Sequence, residues 1–206
     1  LIVINGYNFI DGVNTLLIGY CLIISSSLYY LNLNDIEISQ IIDFYNFISV
    51  LLALLILNFF NKLYLGDGGA YFLGLLFALC LINTYQINNN ISPYFIVCLL
   101  WYPAFENLFS ILRKKKFSRS PLKPDIYHLH QIIFLYLKKT FNVNIVLLNT
   151  ATGMMINFYN LISIGIATHF YNHTKIQISI IAFNIIIYVF FYKNLLFKKK
   201  NNFKTS

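Results

Sequence analysis

Three short polar stretches interrupt an otherwise apolar chain, and each carries residue types that can do chemistry. The first reads Asn5-Gly6-Tyr7-Asn8-Phe9-Ile10-Asp11-Gly12. Asn5, Asn8 and Asp11 recur every third residue, which puts them on neighbouring positions of one helical face. Two amides and a carboxylate supply both donors and acceptors, as recognition of a polar ring or a sugar requires. The same pattern also reads as a polar helix end closed by an Asp-Gly turn. The second stretch is Leu65-Gly66-Asp67-Gly68-Gly69-Ala70, one acid among three glycines. Glycine lets a ligand approach the backbone closely, and Mg²⁺ is commonly held by one or two carboxylates together with substrate phosphates. Asp67 suits that role, and it equally suits a helix cap. The third stretch runs from Arg113 to Gln131 and includes Arg119, Pro121, Pro124, His128 and His130. Arg can grip phosphate with two parallel bonds. The two histidines would share a side of an extended segment but lie about 200° apart on a helix. Two histidines alone make a poor zinc site, so donation to phosphate is the chemistry they suggest; a solvated basic loop is the plainer alternative.

The elements that must position these residues follow from composition. Of the 206 residues, 58% are apolar and 11% charged, with mean hydropathy +0.66; ordinary soluble domains carry roughly 25% charged residues. That excludes a soluble globular protein, and it excludes a disordered chain, whose signature is low hydrophobicity. A helix rises ~1.5 Å per residue, so about 20 apolar residues cross the ~30 Å hydrocarbon core. Six segments qualify: 13–32, 41–60, 70–86, 92–112, 144–168 and 176–197. Pro103 predicts a kink in the fourth. The fold class is all-α, a single polytopic membrane domain over residues 1–206. Cys21, Cys80 and Cys98 lie inside apolar runs and read as packing residues.

Charge sets the orientation. With residues 1–12 on the cytoplasmic side, Lys62, eight bases between Arg113 and Lys139, and five between Lys193 and Lys204 fall there, 14 of the 15 Lys and Arg. The positive-inside rule therefore places all three polar stretches and the C-terminus in the cytoplasm. The net charge of +8 reads as topology and contact with anionic lipid. No nucleic-acid partner is expected, because the bases flank spans and accompany no binding module.

In this order and separated by spans, the stretches resemble the polyprenyl-phosphate N-acetylhexosamine-1-phosphate transferases, glycosyltransferase family 4. Asn5-x-x-Asn8-x-x-Asp11-Gly12 is similar to the family's nucleotide-sugar motif, and Leu65-Gly66-Asp67-Gly68-Gly69-Ala70 to its Gly-Asp-x-Gly-Ser motif. Tyr102-Pro103-Ala104-Phe105-Glu106, with Arg119-Ser120-Pro121, Pro124-Asp125 and His128-Leu129-His130, is similar to its histidine loop. The resemblance covers about residues 1–135. It implies transfer of a sugar 1-phosphate from a UDP-N-acetylhexosamine to polyprenyl (undecaprenyl) phosphate, with release of UMP, at the bacterial inner membrane. It implies Asp67 as the Mg²⁺ ligand, with Mn²⁺ as a substitute ion. Asn5, Asn8 and Asp11 would contact the donor; Arg119, His128 and His130 would hold phosphate; Asp67, Asp11, His128 and His130 form the implied catalytic set. A homodimer is compatible with it.

The sequence departs from the family pattern in places. Asn14 and Thr15 stand where many members have Asp-Gly, Ala70 replaces a serine, and Gln131 replaces a third histidine. No two acids are adjacent anywhere, so the family's aspartate-rich motif is not in these residues, and the chain begins with Leu1. The expectation is the C-terminal part of a transferase with about ten or eleven spans of this length. Two competing readings are an inactive truncated fragment and a transporter, whose pathway would be lined by intramembrane acids; only Asp43 and Glu106 fall within spans. His169 and His173 have metal-chelating spacing but lie at the opposite membrane face without a third ligand nearby.

Overall fold

The computed structural model describes residues 1–116 and 127–202. Among these the protein is all helix: α1 (Ile2–Ile10), α2 (Leu16–Leu33), α3 (Phe44–Phe59), α4 (Gly66–Ile87), α5 (Pro93–Leu99), α6 (Trp101–Lys116), α7 (Leu129–Thr140), α8 (Ile145–His169) and α9 (Thr174–Asn202). Four helices, α2, α4, α8 and α9 up to Phe197, are long and apolar enough to cross a bilayer. The outer surface is that of a lipid-solvated protein. Ile56, Phe158, Ile186 and Phe190 are more than half exposed, a density of exposed apolar side chains that water would not tolerate.

Two of the six expected spans come out differently. α3 has 16 residues, ~24 Å of helix, shorter than a typical span, yet it carries the chain from the Ser39 end of the bundle to the Asn61 end. Asp43 starts it, accepting from Tyr45 N at 3.1 Å and Asn46 N at 3.4 Å. The segment expected to span as one kinked helix, 92–112, is two helices bent by 75° at Leu100, which together are long and apolar enough for a fifth, broken span. The physical reason is local. Pro103 has no N–H, so the Leu99 carbonyl loses its helical partner. The Tyr20 hydroxyl of α2 takes that place, donating to Leu99 O at 2.9 Å. Residues 2–10, taken from sequence as part of a cytoplasmic loop, form a helix packed between α4 and α6. The contact is close at Gly6, where a Cβ would lie 2.2 Å from the Pro103 carbonyl oxygen.

Buried aromatics join the elements. Tyr7 of α1, Tyr20 of α2, Tyr102 of α6 and Tyr188 of α9 follow one another with centroids 6.5, 6.2 and 6.4 Å apart. The three cysteines are buried and free, in line with packing roles. Helix ends sort into two groups. At one end Ser92 N donates to Tyr171 O at 3.0 Å, and Ser39 N to Thr84 Oγ1 at 3.0 Å. At the other, Asn14 Nδ2 donates to Asn61 Oδ1 at 2.9 Å, and it is here that the polar stretches meet.

Candidate functional site

The first turn after α1 is held from several sides. Thr15 has φ 67°, a left-handed conformation that a β-branched residue adopts only when its surroundings impose it. They do: Thr15 N donates to Asn58 Oδ1, Thr15 Oγ1 to Thr150 O at 3.2 Å, and Asn157 Nδ2 to Thr15 O at 2.8 Å. Asn58 also donates to Leu63 O at 2.7 Å. The Asn14-Thr15 pair that departs from the family pattern therefore ties the first stretch to the residues leading into the second. Asn14 is buried and serves this scaffold.

On α1 itself, Gly6, Tyr7 and Ile10 face the core, while Asn5 is exposed and Asn8 and Asp11 are partly so. The three-residue spacing thus leaves one polar face open, as expected. Asp11 is the C-cap of α1. Burial pushes its carboxyl up to about 7, the charge of Asp67 adds to the rise, and the Gly66 backbone amide opposes it. The two carboxyls come from different elements, α1 and α4, and are near enough for their charges to interact.

Asp67 sits in the first turn of α4, not in a preceding loop. Gly66 has φ +65°, which glycine adopts without strain. A side chain added at Gly66 or Gly68 would meet nothing within 4 Å, so the N-terminus of α4 is open to a ligand. The backbone amides of a helix N-terminus, with the helix dipole, favour negative charge.

The histidine stretch completes the site. His128 is the N-cap of α7, in extended backbone, and His130 is the second residue of that helix. The segment is therefore neither wholly extended nor wholly helical, and the two rings stack 5.6 Å apart at 7°. Gln131, standing where the family has a third histidine, accepts from His128 N at 3.4 Å. α7 was not foreseen from sequence; its own first N–H, at Leu129, donates to Glu106 Oε1 at 2.8 Å. His128 packs on Phe9, 5.0 Å between centroids. His130 lies against Gly12, whose added Cβ would be 2.4 Å from Nε2. His130 is fully buried, and neither ring nitrogen has a hydrogen-bond partner among the described residues. Burial pushes its imidazole down to about 4, with His128 adding to the fall and Glu106 opposing it; it is neutral at pH 7.

The structure thus brings the Asn5–Asp11 face, Asp67, His128 and His130 to one end of the bundle. Arg119 lies outside the described residues. Sequence reasoning assigned no role to Glu106, whose contacts with both histidines are described below; an acid within an apolar segment was the available signal. His169 and His173 are exposed and pack on Phe170, with ring centroids 4.8 and 6.0 Å apart. Among the described residues no cluster of three or more His, Cys, Asp and Glu side chains could hold a metal. A hollow of about 700 Å³ lined by Tyr29, Glu37, Gln40, Asp43 and Asn83 lies at the opposite end and contains none of these groups.

The sequence model of glycosyl transferase family 4 matches residues 1–85. Decaprenyl-phosphate N-acetylglucosaminephosphotransferase of Mycolicibacterium smegmatis is 30% identical over 149 residues, covering 62% of this chain and 37% of that protein. Undecaprenyl-phosphate alpha-N-acetylglucosaminyl 1-phosphate transferase of Escherichia coli K12 is 26% identical over 136 residues, covering 63% and 37%. The enzyme of the same name from Salmonella typhimurium is 24% identical over 136 residues, with the same coverage. The chain spans about 37% of the length of these curated relatives. No solved structure matches it significantly. The match of residues 1–85 takes in both the Asn5–Asp11 face and Asp67, and the relatives named above are polyprenyl-phosphate N-acetylglucosamine-1-phosphate transferases to which this chain is similar.

Proposed function

We propose that the protein containing this chain transfers a sugar 1-phosphate from a UDP-N-acetylhexosamine to a polyprenyl phosphate at the cytoplasmic face of a bacterial inner membrane, releasing UMP. The observation that carries the reading is the position of Asp11. It couples to Asp67 on one side, and its neighbour Gly12 touches His130 on the other. Three segments far apart in sequence thus converge where a soluble and a lipid-anchored substrate would meet. The positive-inside count supports placing that end in the cytoplasm.

Two acids whose charges interact suit a divalent cation. Asp67, with Asp11 beside it, would hold Mg²⁺ (or Mn²⁺), and substrate phosphates would complete the coordination. Bound there, the ion would screen two polyanions from one another and stabilise charge on the transferring phosphoryl group. The residues of the chain do the rest. Asn5 and Asn8 present amides to the polar parts of the donor. The open first turn of α4 receives phosphate oxygens. His128, and Arg119 outside the described residues, hold the acceptor phosphate. The lipid tail would run along the exposed apolar helices.

The test is to express the chain with its natural upstream reading frame and supply membranes with labelled UDP-N-acetylglucosamine and polyprenyl phosphate. Mg²⁺-dependent formation of a lipid-linked pyrophosphoryl sugar with release of UMP is the expected result. An inserted, folded protein that forms no such product would overturn the reading.

A further inference from the structure

Glu106 lies on α6 with 1% of its surface exposed. A carboxylate in an apolar bundle is costly unless its oxygens are met by donors, and here they are. Oε1 accepts from Leu129 N at 2.8 Å and faces His128 Nδ1 at 3.2 Å. His130 Nδ1 is 3.9 Å from the same oxygen. Oε2 accepts from the hydroxyl of Tyr188. The donors come from α7 and α9, two helices that follow α6 in the chain.

This arrangement selects a tautomer. An ionised carboxylate only accepts, so the proton in the 3.2 Å contact belongs to His128 Nδ1. Nε2 of a neutral ring then carries a lone pair. That nitrogen makes no hydrogen bond among the described residues, and the ring plane is fixed by Phe9 and His130 on its faces. The network therefore ends at a nitrogen with unused bonding capacity beside the site. Carboxylates orient imidazoles in this way in metal sites and in hydrolases.

We propose that Glu106 and Tyr188 are positioning residues: Tyr188 steadies Glu106, and Glu106 holds His128 with its proton on Nδ1, so that Nε2 is presented to the phosphate-bearing substrate. α9 is then part of the site's support as well as a membrane span. The tautomer stands on the geometry alone, whereas its catalytic meaning rests on the transferase reading above.

The test has two arms, both on the natural protein in nanodiscs. The first is ¹⁵N NMR of histidine-labelled protein at a pH where imidazole is neutral, with His128→Asn used to assign the signal. The expected result is the Nδ1–H form for wild type and its loss in Glu106→Leu. A wild-type His128 in the Nε2–H form overturns the proposal. If Glu106→Leu does not fold, the wild-type tautomer and the second arm decide. The second arm is steady-state transfer by Tyr188→Phe. A fall in kcat of about tenfold with KM little changed is expected, the size typical of losing an outer-shell partner; wild-type kcat and KM would overturn it. A protein that performs no transfer at all removes the transferase reading, and the NMR arm still decides the tautomer.

Discussion

Replacing Gly12 by alanine tests the meeting of the first polar stretch with the histidine segment. Gly12 does not occupy the left-handed region, so alanine meets no conformational penalty there and the effect is steric. The new methyl carbon would stand 2.4 Å from His130 Nε2 and 3.1 Å from Cδ2. Ordinary contact needs about 1 Å more, and His130, fully buried and stacked on His128, has little room to supply it. Overpacking of this kind costs about 1–3 kcal/mol. In a chain of this size each kcal/mol is worth roughly 2–4 °C in Tm. Gly68→Ala is the control. It meets nothing within 4 Å and lies in a helix, so it should leave stability unchanged or raise it by up to about 1 kcal/mol. Thermal unfolding in detergent by intrinsic fluorescence reads both variants. His130→Ala in the Gly12→Ala background should recover part of the loss, a coupling of about 1 kcal/mol for residues in contact. An unchanged Tm for Gly12→Ala, or strict additivity in the double variant, would refute the contact and with it the convergence of the two segments.

Further outcomes follow from the same geometry. Because the Asp11 carboxyl is raised to about 7, the folded state holds a proton that the unfolded chain has released; this group's contribution to stability therefore falls as pH rises from about 4 to about 7. Asp11→Asn should flatten that dependence, and after discounting for its partial exposure the gain near pH 8 is about 1–2 kcal/mol, read as Tm against pH in metal-free buffer; identical pH profiles for variant and wild type would contradict it. Asn58→Ala strips partners from the Thr15 N–H and the Leu63 carbonyl and should destabilise by about 2–3 kcal/mol; a loss under about 0.5 kcal/mol would show that the strained Thr15 turn is held by other contacts. Gly6→Ala places a methyl 2.2 Å from a backbone oxygen, which cannot rotate away, so α1 and α6 must part; the drop in Tm should be at least as large as for Gly12→Ala.

Much of the fold was legible because lipid-facing helices carry their signal in composition. The expected spans at 13–32, 70–86, 144–168 and 176–197 correspond to α2, α4, α8 and α9. The break at Leu100 was not legible beyond a kink. What permits it is the Tyr20 hydroxyl reaching Leu99 O from another helix, a partner 79 residues away that no local pattern reveals. α7 was missed because its capping groups come partly from Glu106, on a different element. For the site, the residue types were readable but their roles were not. Asn5, Asn8, Asp11 and Asp67 stand out by spacing and glycine context. Asn14 and Gln131, which looked like departures from a family pattern, turn out to have structural partners: Asn14 donates to the Asn61 side chain, and Gln131 accepts from the His128 backbone N–H. Glu106 and Tyr188 gain their meaning only from long-range proximity.

The most direct measurement is sugar-1-phosphate transfer by the natural protein carrying Asp67→Asn, compared with wild type at saturating Mg²⁺. If Asp67 and the converging segments form one metal-assisted site, product formation falls at least about a hundredfold while membrane insertion and Tm stay within error of wild type. Wild-type turnover in that variant would contradict the account.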